Sequence, residues 1–364
     1  MKYYIIAGEA SGDLHASNLL KEIRKKDPAA EFRGFGGDLM KEQGTHLVRH
    51  YRDLAFMGFV EVLANLRTIL RNIEACKEDI SVWKPDALIL VDYPGFNLRI
   101  APFAKEKGIP VFYYISPQIW AWKQSRVHKI AAGTNKIFCI LPFEKDFYKG
   151  FGYDVEFVGH PLLDALDQPA KELSLESDGR KIIALLPGSR KQEIRTMLPE
   201  MLMAAKDFPE FRFVIAGAPS QTAEFYKEVA GSNSTEIVFG ETYALLKKSY
   251  AAVVTSGTAT LETALHSVPE VVCYKGSFLS YHIAKQLVKV KYISLVNLVM
   301  DKEIVRELIQ DEMNPRLISE ELKKLTSGAS RDEMLKQYEE LKLKLGGGGA
   351  SARTAGLIWK YLTK

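Results

Sequence analysis

Two loops in the second half of the sequence combine small and polar residues in a way that suits anion binding. LLPGSR, at residues 185–190, follows an apolar run and leads directly into a helical pattern. Pro187 would end the strand, Gly188 would free the backbone, and Ser189 could cap the helix. Helix N–H groups, a hydroxyl and the Arg190 guanidinium would then converge, which favours a phosphate. The alternative is an exposed arginine beside an ordinary cap.

The second loop is TSGTATLE, at residues 255–262. Ser256, Gly257 and Thr258 follow an apolar run and open a helix, whose N-terminus would bind a second phosphate or the same diphosphate. Glu262, one turn further on, could accept hydrogen bonds from two ribose hydroxyls, although a first-turn acid also stabilises an unliganded helix. Together the two loops predict a nucleotide diphosphate in the second half of the chain.

The first strand of the chain is followed by AGEASGD, at residues 7–13. Small residues let the backbone approach a ligand closely, and the Glu9 carboxylate would repel a phosphate but suits a sugar hydroxyl. The alternative is a tight turn in which Ser11 or Asp13 caps the following helix.

An acid also ends the apolar strand at residues 87–91, in the stretch LVDYPGFN. The carboxyl ends of parallel strands point toward the ligand crevice, so Asp92 would project there. A partly desolvated aspartate in that position is a candidate general base. A turn-forming or helix-capping aspartate is the alternative.

Two further segments suggest an acceptor or a lipid. In residues 113–130, Trp120, Lys123 and Arg126 put aromatic and cationic groups side by side, which suits a sugar phosphate or a membrane headgroup region. Core tryptophans beside a solvated basic helix face would give the same pattern. The apolar stretch MGFVEVLANLRTIL, which begins at Met57, is either a core helix or a surface that receives acyl chains.

The composition narrows the class of protein. The chain has 364 residues, is 47% hydrophobic and carries a net charge of +4, so it can build a sizeable core but is too weakly basic to indicate nucleic acid. Its 3 cysteines are far apart and form no CxxC, which argues against zinc sites and disulfides. The apolar run before Glu9 is too short for a signal peptide or a membrane span, which predicts a cytoplasmic protein.

Several motifs are absent from the sequence. It contains no GxxxxGK[ST], no HExxH and no Asp-x-Asp pair, so kinase, zinc-protease and metal-carboxylate chemistries lose support. GFGGDL, at residues 34–39, imitates part of a dinucleotide fingerprint but lacks its third glycine.

Short apolar runs alternate with amphipathic stretches in both halves of the chain, which predicts parallel strands joined by right-handed crossovers. We therefore expect an α/β protein with two doubly wound, Rossmann-like domains and a ligand cleft between them. The predicted domains are 1–165 and 175–345, with a polar linker between. GGGG at 346–349 starts a final segment, 346–364, whose helix would dock on the first domain or on a partner subunit. The predicted strands are 3–7, 87–91, 111–115, 136–141, 155–158, 182–186, 212–216, 236–239, 251–255 and 271–274.

Taken together, these stretches resemble the bacterial lipid-A-disaccharide synthase family of glycosyltransferases. The matching stretches keep the family's order and spacing from the first strand almost to residue 310. They are GEASGD (8–13), MGFVEVL (57–63), SPQIWAWKQSRVHKI (116–130), LPFEK (141–145), VGHP (158–161), LLPGSR (185–190), SGTATLE (256–262) and VKVKYISLVNL (288–298).

The resemblance implies a GT-B architecture with C-terminal helices crossing back to the first domain. It implies an inverting transfer of 2,3-diacylglucosamine from its UDP derivative to 2,3-diacylglucosamine 1-phosphate (lipid X), with release of UDP, in lipid A biosynthesis. The resemblance implies that no metal ion is needed. It implies no other cofactor either, since the UDP-sugar is consumed as a substrate. The implied location is the anionic inner face of the inner membrane, with peripheral attachment, and exchange of C-terminal segments could produce a homodimer.

The resemblance also assigns roles to residues. Asp92 becomes the general base, and Arg190 stabilises the departing diphosphate. The implied UDP contacts are Gly188, Ser189, Arg190, Ser256, Gly257, Thr258, Glu262 and Asn297. The implied acceptor or lipid side comprises Glu9, Ser11, Met57, Trp120, Lys123 and Arg126.

Two other functions compete with this one. Another GT-B enzyme, such as a UDP-GlcNAc transferase or a UDP-GlcNAc 2-epimerase, would share the nucleotide loops but use other acid and base residues. A non-catalytic sensor of nucleotide sugars would bind UDP but would release none from paired substrates.

Overall fold

The computed structural model describes residues 1–53, 66–122, 124–166, 172–231, 233–276 and 291–364. Met57 and Lys123, both assigned to the acceptor side from the sequence, lie outside these ranges. The chain divides into two compact units, Met1–Asp167 together with Leu345–Lys364, and Gln168–Lys344. No helix of the described ranges is both long and apolar enough to cross a bilayer.

Unit 1 alternates strands and helices from its first residues. Its elements before the second unit are β1 (Lys2–Ala7), α1 (Ala10–Lys26), β2 (Glu31–Gly36), α2 (Asp38–Glu42), β3 (His46–His50), a 3-10 turn (Tyr51–Asp53), α3 (Leu66–Trp83), β4 (Ala87–Val91), α4 (Pro94–Glu106), β5 (Val111–Tyr114), α5 (Ile119–Trp122), α6 (Arg126–Gly133), β6 (Lys136–Cys139), α7 (Glu144–Gly150), β7 (Glu156–Phe157) and α8 (Pro161–Leu166).

Unit 2 repeats this alternation, and the chain then returns to unit 1 with one last helix. The elements are β8 (Lys181–Leu186), α9 (Lys191–Ala205), β9 (Phe211–Gly217), α10 (Ala223–Ala230), β10 (Glu236–Phe239), α11 (Thr242–Lys248), β11 (Ser249–Thr255), α12 (Thr258–Leu265), β12 (Glu270–Tyr274), α13 (Leu295–Met300), β13 (Glu307–Ile309), a 3-10 turn (Gln310–Glu312), α14 (Pro315–Thr326), α15 (Ala329–Lys344) and, back in unit 1, α16 (Ala350–Leu362).

In the residues that the structure describes, each unit contains one parallel sheet. The strand order is β3-β2-β1-β4-β5-β6-β7 in unit 1 and β10-β9-β8-β11-β12-β13 in unit 2. Strands such as β4 are buried along their whole length because helices cover both faces of a parallel sheet. The strand order reverses beside β1 in unit 1 and beside β8 in unit 2. In doubly wound folds such switch points are where ligands bind.

The last helix, α16, packs along α1 and completes the core of unit 1. Ala355 and Ile358 are buried in the same cluster as residues of β1 and α1. The Asp164 carboxylate accepts hydrogen bonds from the Ser351 N–H at 2.7 Å and the Ala350 N–H at 3.2 Å, and so caps α16. Arg353 donates to the Val158 carbonyl at 2.7 Å. The hydrogen bonds of Asp164 and Arg353 therefore fix the N-terminus of α16 to unit 1.

Candidate functional site

The switch point of unit 1 places two of the predicted loops next to each other. β1 and β4 pair in parallel, with Ala7 opposite Val91, so the loops that follow these strands are neighbours. A Cβ atom at Gly8 would lie 2.3 Å from the Tyr93 ring. Only glycine lets this ring pack against the first loop. The sequence stretches GEASGD and DYPGFN thus form one local structure.

The turn that carries Asp92 has a strained backbone, which hydrogen bonds to the Asp92 carbonyl stabilise. Asp92 and Tyr93 both have left-handed backbone conformations, with φ of 45° and 49°, which cost energy for residues other than glycine. The Asp92 carbonyl accepts hydrogen bonds from the Tyr113 hydroxyl at 2.7 Å and from the Asn97 side-chain amide at 2.6 Å. These two donors fix the turn, and with it the direction of the carboxylate.

The surroundings of the Asp92 carboxyl favour its protonated form. Burial, followed by the negative charge of Glu9, raises its pKa to about 7, while the Tyr93 backbone N–H acts in the opposite direction. A carboxylate with a pKa near the working pH is suited to remove a proton from a hydroxyl. Glu9, predicted to face the acceptor, therefore affects the chemistry of Asp92 through its charge.

Asp92 lines a cavity of about 240 Å³ within unit 1. Arg126, one of the predicted acceptor residues, lines it too. Trp120 is buried and packs edge-on against Phe143, with ring centroids 4.9 Å apart. Ser11 is exposed in the first turn of α1. The cavity lining comprises Asp92, Pro94, Ile115, Ser116, Pro117, Gln118, Ile119, Arg126, Ile140, Leu141 and Glu144.

Asp13 is a helix cap, but not of the helix that the sequence suggested. Its buried carboxylate accepts hydrogen bonds from the N–H groups of Gly37, Leu39 and Met40, at 2.8, 3.1 and 3.1 Å. It therefore caps α2, whose N-cap residue is Gly37. The GFGGDL stretch is explained by this contact as a structural turn between β2 and α2.

The switch point of unit 2 brings most of the predicted UDP residues together. β8 and β11 pair with Leu186 opposite Val254, so the loops after them are adjacent. They line a pocket of about 460 Å³. Ala218 and Pro219, in the loop after β9, line it as well. The predicted residues that line it are Gly188, Ser189, Arg190, Ser256, Gly257, Thr258 and Glu262.

Glu193 is a site residue that our sequence analysis missed. Its carboxylate accepts hydrogen bonds from the N–H groups of Ser189 and Arg190, at 3.1 and 3.2 Å. The Arg190 side chain is 70% exposed and lies 3.3 Å from the same carboxylate. Gly188 has a φ of 102°, and a Cβ there would lie 2.7 Å from the Glu193 carboxylate. The predicted cap by Ser189 is wrong: Arg190 is the N-cap, and Glu193 satisfies the N–H groups.

The loop before α12 is open by comparison. Its N-cap is Gly257, which has no side chain that could cap the helix. Gly257 and Thr258 are exposed. The Ser256 hydroxyl donates to the Ile293 carbonyl at 2.9 Å, which ties the loop to the segment before α13. The N-terminus of α12 therefore remains accessible to an anion.

Glu262 lies where a sugar hydroxyl could reach it. It is half-buried and accepts a hydrogen bond from the Tyr243 hydroxyl at 3.3 Å. Burial raises the pKa of its carboxyl, and the Tyr243 hydroxyl opposes this shift. Tyr243 thus orients one oxygen of the carboxylate.

Asn297 is buried within unit 2 and does not line the pocket. Its buried side-chain amide donates to the Val305 carbonyl and to Glu307, at 2.8 and 2.9 Å. Its side-chain oxygen accepts from the N–H groups of Ile304 and Val305, at 2.7 and 3.0 Å. All its side-chain hydrogen-bonding capacity is therefore used within unit 2. The structure gives Asn297 the role of holding the segment next to Ser256.

Glu307 completes this support. Its buried carboxylate accepts from the N–H groups of Ile293 and Ser294, both at 2.9 Å.

Within the described ranges, no three His, Cys, Asp or Glu side chains converge in the way that metal ligands do.

The family comparison covers almost the whole chain. The family model described as lipid-A-disaccharide synthetase matches residues 3–358. A lipid-A-disaccharide synthase from Syntrophus aciditrophicus is 41% identical over 99% of this chain and 97% of its own length. One from Myxococcus xanthus is 40% identical, over 98% and 97% respectively.

Solved structures of low sequence identity share the fold. The co-structure of S. aureus MnaA with UDP has a TM-score of 0.72 at 13% identity, and covers 100% of this chain and 97% of that one. A putative UDP-N-acetylglucosamine 2-epimerase from Listeria monocytogenes has a TM-score of 0.71 at 12% identity, with coverage of 100% and 96%. These likenesses, with the two parallel sheets, confirm the predicted GT-B fold. With the family match and these close relatives, the chain belongs to the lipid-A-disaccharide synthase family.

Proposed function

We propose that this protein transfers 2,3-diacylglucosamine from UDP-2,3-diacylglucosamine to the 6-hydroxyl of lipid X, with inversion at C1. The products are a β-1,6-linked disaccharide 1-phosphate and UDP. The observation that carries this proposal is Asp92. It is held at a switch point by Tyr113 and Asn97, it has a pKa of about 7, and it lines a cavity that could receive a sugar headgroup.

In the proposed mechanism, the chemistry in unit 1 is the removal of one proton. The Asp92 carboxylate takes it from the acceptor hydroxyl while the hydroxyl oxygen forms its bond to C1 of the donor sugar. A single base is sufficient for inversion, because the bond from C1 to the diphosphate oxygen breaks on the opposite face. Arg126, which lines the same cavity, would bind the phosphate of the acceptor.

In unit 2 the proposed chemistry is to stabilise the charge on the departing UDP. The N–H groups at the start of α12 and the Arg190 guanidinium would face the diphosphate, and Glu262 would bind the ribose. Hydrogen-bond donors that are already in place where negative charge develops usually contribute a large part of the rate acceleration. This arrangement supplies positive charge from the chain itself, so we propose that no metal ion or other cofactor takes part.

Partners and location follow from the same proposal. Both substrates carry acyl chains, so the protein would act at the inner face of the inner membrane, attached to anionic lipid through basic residues. A homodimer with exchanged C-terminal segments would require α16 to leave α1 and occupy the same place on a second copy.

The decisive experiment mixes the purified protein with both substrates and measures disaccharide and UDP. We expect equal amounts of both products, and an unchanged rate when EDTA is present. No disaccharide would refute the synthase. Conversion of UDP-GlcNAc to its 2-epimer would favour an epimerase, and UDP binding without any turnover would favour a sensor. A rate abolished by EDTA and restored by a divalent cation would refute only the metal-free part of the proposal.

A further inference from the structure

Glu262 lies on the wall of the unit 2 pocket, one helical turn beyond the N-terminus of α12. Thr258, four residues earlier, lines the same pocket, so the two side chains share one face of this helix. One turn of an α-helix advances about 5.4 Å. A nucleoside diphosphate whose phosphates meet the start of α12 would therefore bring its ribose beside Glu262.

The Glu262 carboxylate is held by a residue of a different helix. The Tyr243 hydroxyl, on α11, donates to its Oε1 at 3.3 Å. Burial, and then the negative charge of Glu262, raise the pKa of the Tyr243 hydroxyl well above its usual range, so it stays a donor at neutral pH. This hydroxyl in turn opposes the rise that burial causes in the pKa of Glu262. Tyr243 thus orients the carboxylate and favours its charged form.

A third side chain limits the movement of Tyr243. The His266 ring lies against the Tyr243 ring, with centroids 5.1 Å apart and planes at 47° to each other. His266 Nδ1 is 2.8 Å from the backbone carbonyl oxygen of Glu262. A carbonyl oxygen can only accept, so this nitrogen donates, and the imidazole cannot turn without losing the bond. The ring that supports Tyr243 is therefore attached to the backbone of Glu262 itself.

We propose that Tyr243 is a positioning residue that makes this pocket select a ribonucleotide over a 2′-deoxyribonucleotide. Its hydroxyl would hold the Glu262 carboxylate with both oxygens toward the neighbouring 2′- and 3′-hydroxyls of the ribose. A carboxylate oxygen has two lone pairs, so Oε1 can accept from Tyr243 and from the ribose at once. This inference rests on the proposed function, because it takes the ligand of the pocket to be UDP.

The selectivity would come from order that exists before the ligand binds. A long side chain that rotates freely loses entropy when a ligand fixes it, and this loss weakens binding. Thr242 lines the pocket, whereas Tyr243 acts on the ligand through Glu262. Without the Tyr243 hydroxyl, the carboxylate would take up other orientations, and a ribose would gain less from its 2′-hydroxyl.

The test is Tyr243→Phe, because phenylalanine keeps a ring against His266 and removes only the hydroxyl. Calorimetry with UDP and with 2′-deoxy-UDP gives two dissociation constants, and their ratio measures the selectivity. In the wild type, 2′-deoxy-UDP should bind about 10- to 100-fold more weakly than UDP, the scale of one hydrogen bond to a charged group. In Tyr243→Phe this ratio should fall about 3- to 10-fold, the scale of one ordinary hydrogen bond.

Turnover provides a second measurement. The Tyr243 hydroxyl would act on the binding of the donor and not on the chemical step. In Tyr243→Phe, the KM for the UDP-sugar should therefore rise, while kcat and the KM for lipid X stay at the wild-type values.

Two further variants show whether the effect passes through Glu262. Glu262→Ala should lose most of the selectivity, and Tyr243→Phe added to it should change the ratio no further. Tyr250→Phe is the matched control, because it removes a hydroxyl that donates to the Thr326 carbonyl outside the pocket. It should leave both dissociation constants unchanged.

A wild-type ratio in Tyr243→Phe would overturn the inference and leave the proposed function standing. So would equal losses of affinity for the two nucleotides, a further fall of the ratio in the double variant, or a wild-type protein that binds both nucleotides equally well. If the wild-type protein does not bind UDP at all, the proposed function fails and the inference fails with it.

Discussion

The carboxylate of Glu193 lies over the backbone of Arg190, with one oxygen 3.2 Å from its N–H and the other 3.3 Å from its guanidinium. Glu193 thereby occupies the position that the sequence assigned to a phosphate. An anion approaching this loop must compete with a negative charge of the protein itself. The N-cap of α12 is Gly257, which brings no carboxylate of its own to that loop.

We therefore predict that Glu193→Gln strengthens UDP binding. Glutamine can still accept from the N–H groups of Ser189 and Arg190, but it no longer repels the diphosphate. The dissociation constant measured by calorimetry at low salt should fall about two- to fivefold, the scale of one exposed charge interaction. Glu228→Gln, on α10 and outside the pocket, is the control. Weaker UDP binding by Glu193→Gln would contradict the prediction.

Replacement of the arginine should have the opposite effect. Arg190→Ala removes a charged donor from the pocket, so UDP binding should weaken by about 1.5–3 kcal/mol in calorimetry. Arg195→Ala removes an exposed arginine from the same helix, one that does not line the pocket, and should leave the affinity unchanged. Equal affinities for UDP in the Arg190 variant and the wild type would show that Arg190 does not bind the diphosphate.

The base is best tested with Asp92→Asn. Asparagine tolerates the left-handed backbone that this position requires, whereas alanine would add roughly 1–2 kcal/mol of strain. We expect kcat to fall by about 10²–10⁴, the usual contribution of a general base. The melting temperature should not fall, because a buried charge beside Glu9 is removed. If Asp92→Asn keeps the wild-type kcat, another group takes the proton.

The pH profile provides a further test. A general base works only when deprotonated, so kcat/KM should fall about tenfold per pH unit below the Asp92 pKa of about 7. Glu144 has a pKa of about 7 in the same cavity, so one profile alone cannot assign the group.

Glu9→Gln separates these two carboxyls. It removes a negative charge that raises the pKa of Asp92, so the acidic limb should move to lower pH. Glu9 does not contribute to the shift of Glu144. An acidic limb that stays in place in Glu9→Gln would mean that Asp92 does not control the profile.

Much of the fold could be predicted because buried parallel strands have a simple signature. The strands at 87–91 and 236–239 have the predicted bounds. β2 was missed because it carries glycines: a Cβ at Gly34 would lie 1.9 Å from the Ile5 carbonyl oxygen. That close approach of two strands requires glycine, although glycine within a strand is usually a sign against it. β3 and β13 were missed as well.

The site was predictable to the level of loops but not of individual contacts. The motifs after β1, β4, β8 and β11 all lie at switch points, because chain order determines where each strand ends. Whether a carboxylate faces a ligand or an internal N–H depends on tertiary packing. Glu193 stands three residues after its N-cap, the position of the acid in a capping box, but the N-cap is Arg190 where that motif has a serine or threonine. The sequence pattern therefore did not indicate its contacts. The contacts of Asn297 had no local signal either.

The return of α16 to unit 1 has a consequence for biosynthesis. A ribosome makes all of unit 2 before it makes Ala355 and Ile358, which fill the core beside α1. While unit 2 is being translated, the nascent first unit exposes the apolar surface that α16 later covers. The N-terminal half of this protein can therefore reach its final packing only after residues 350–362 have been made, and a premature stop codon near residue 345 would damage the unit that was synthesised first.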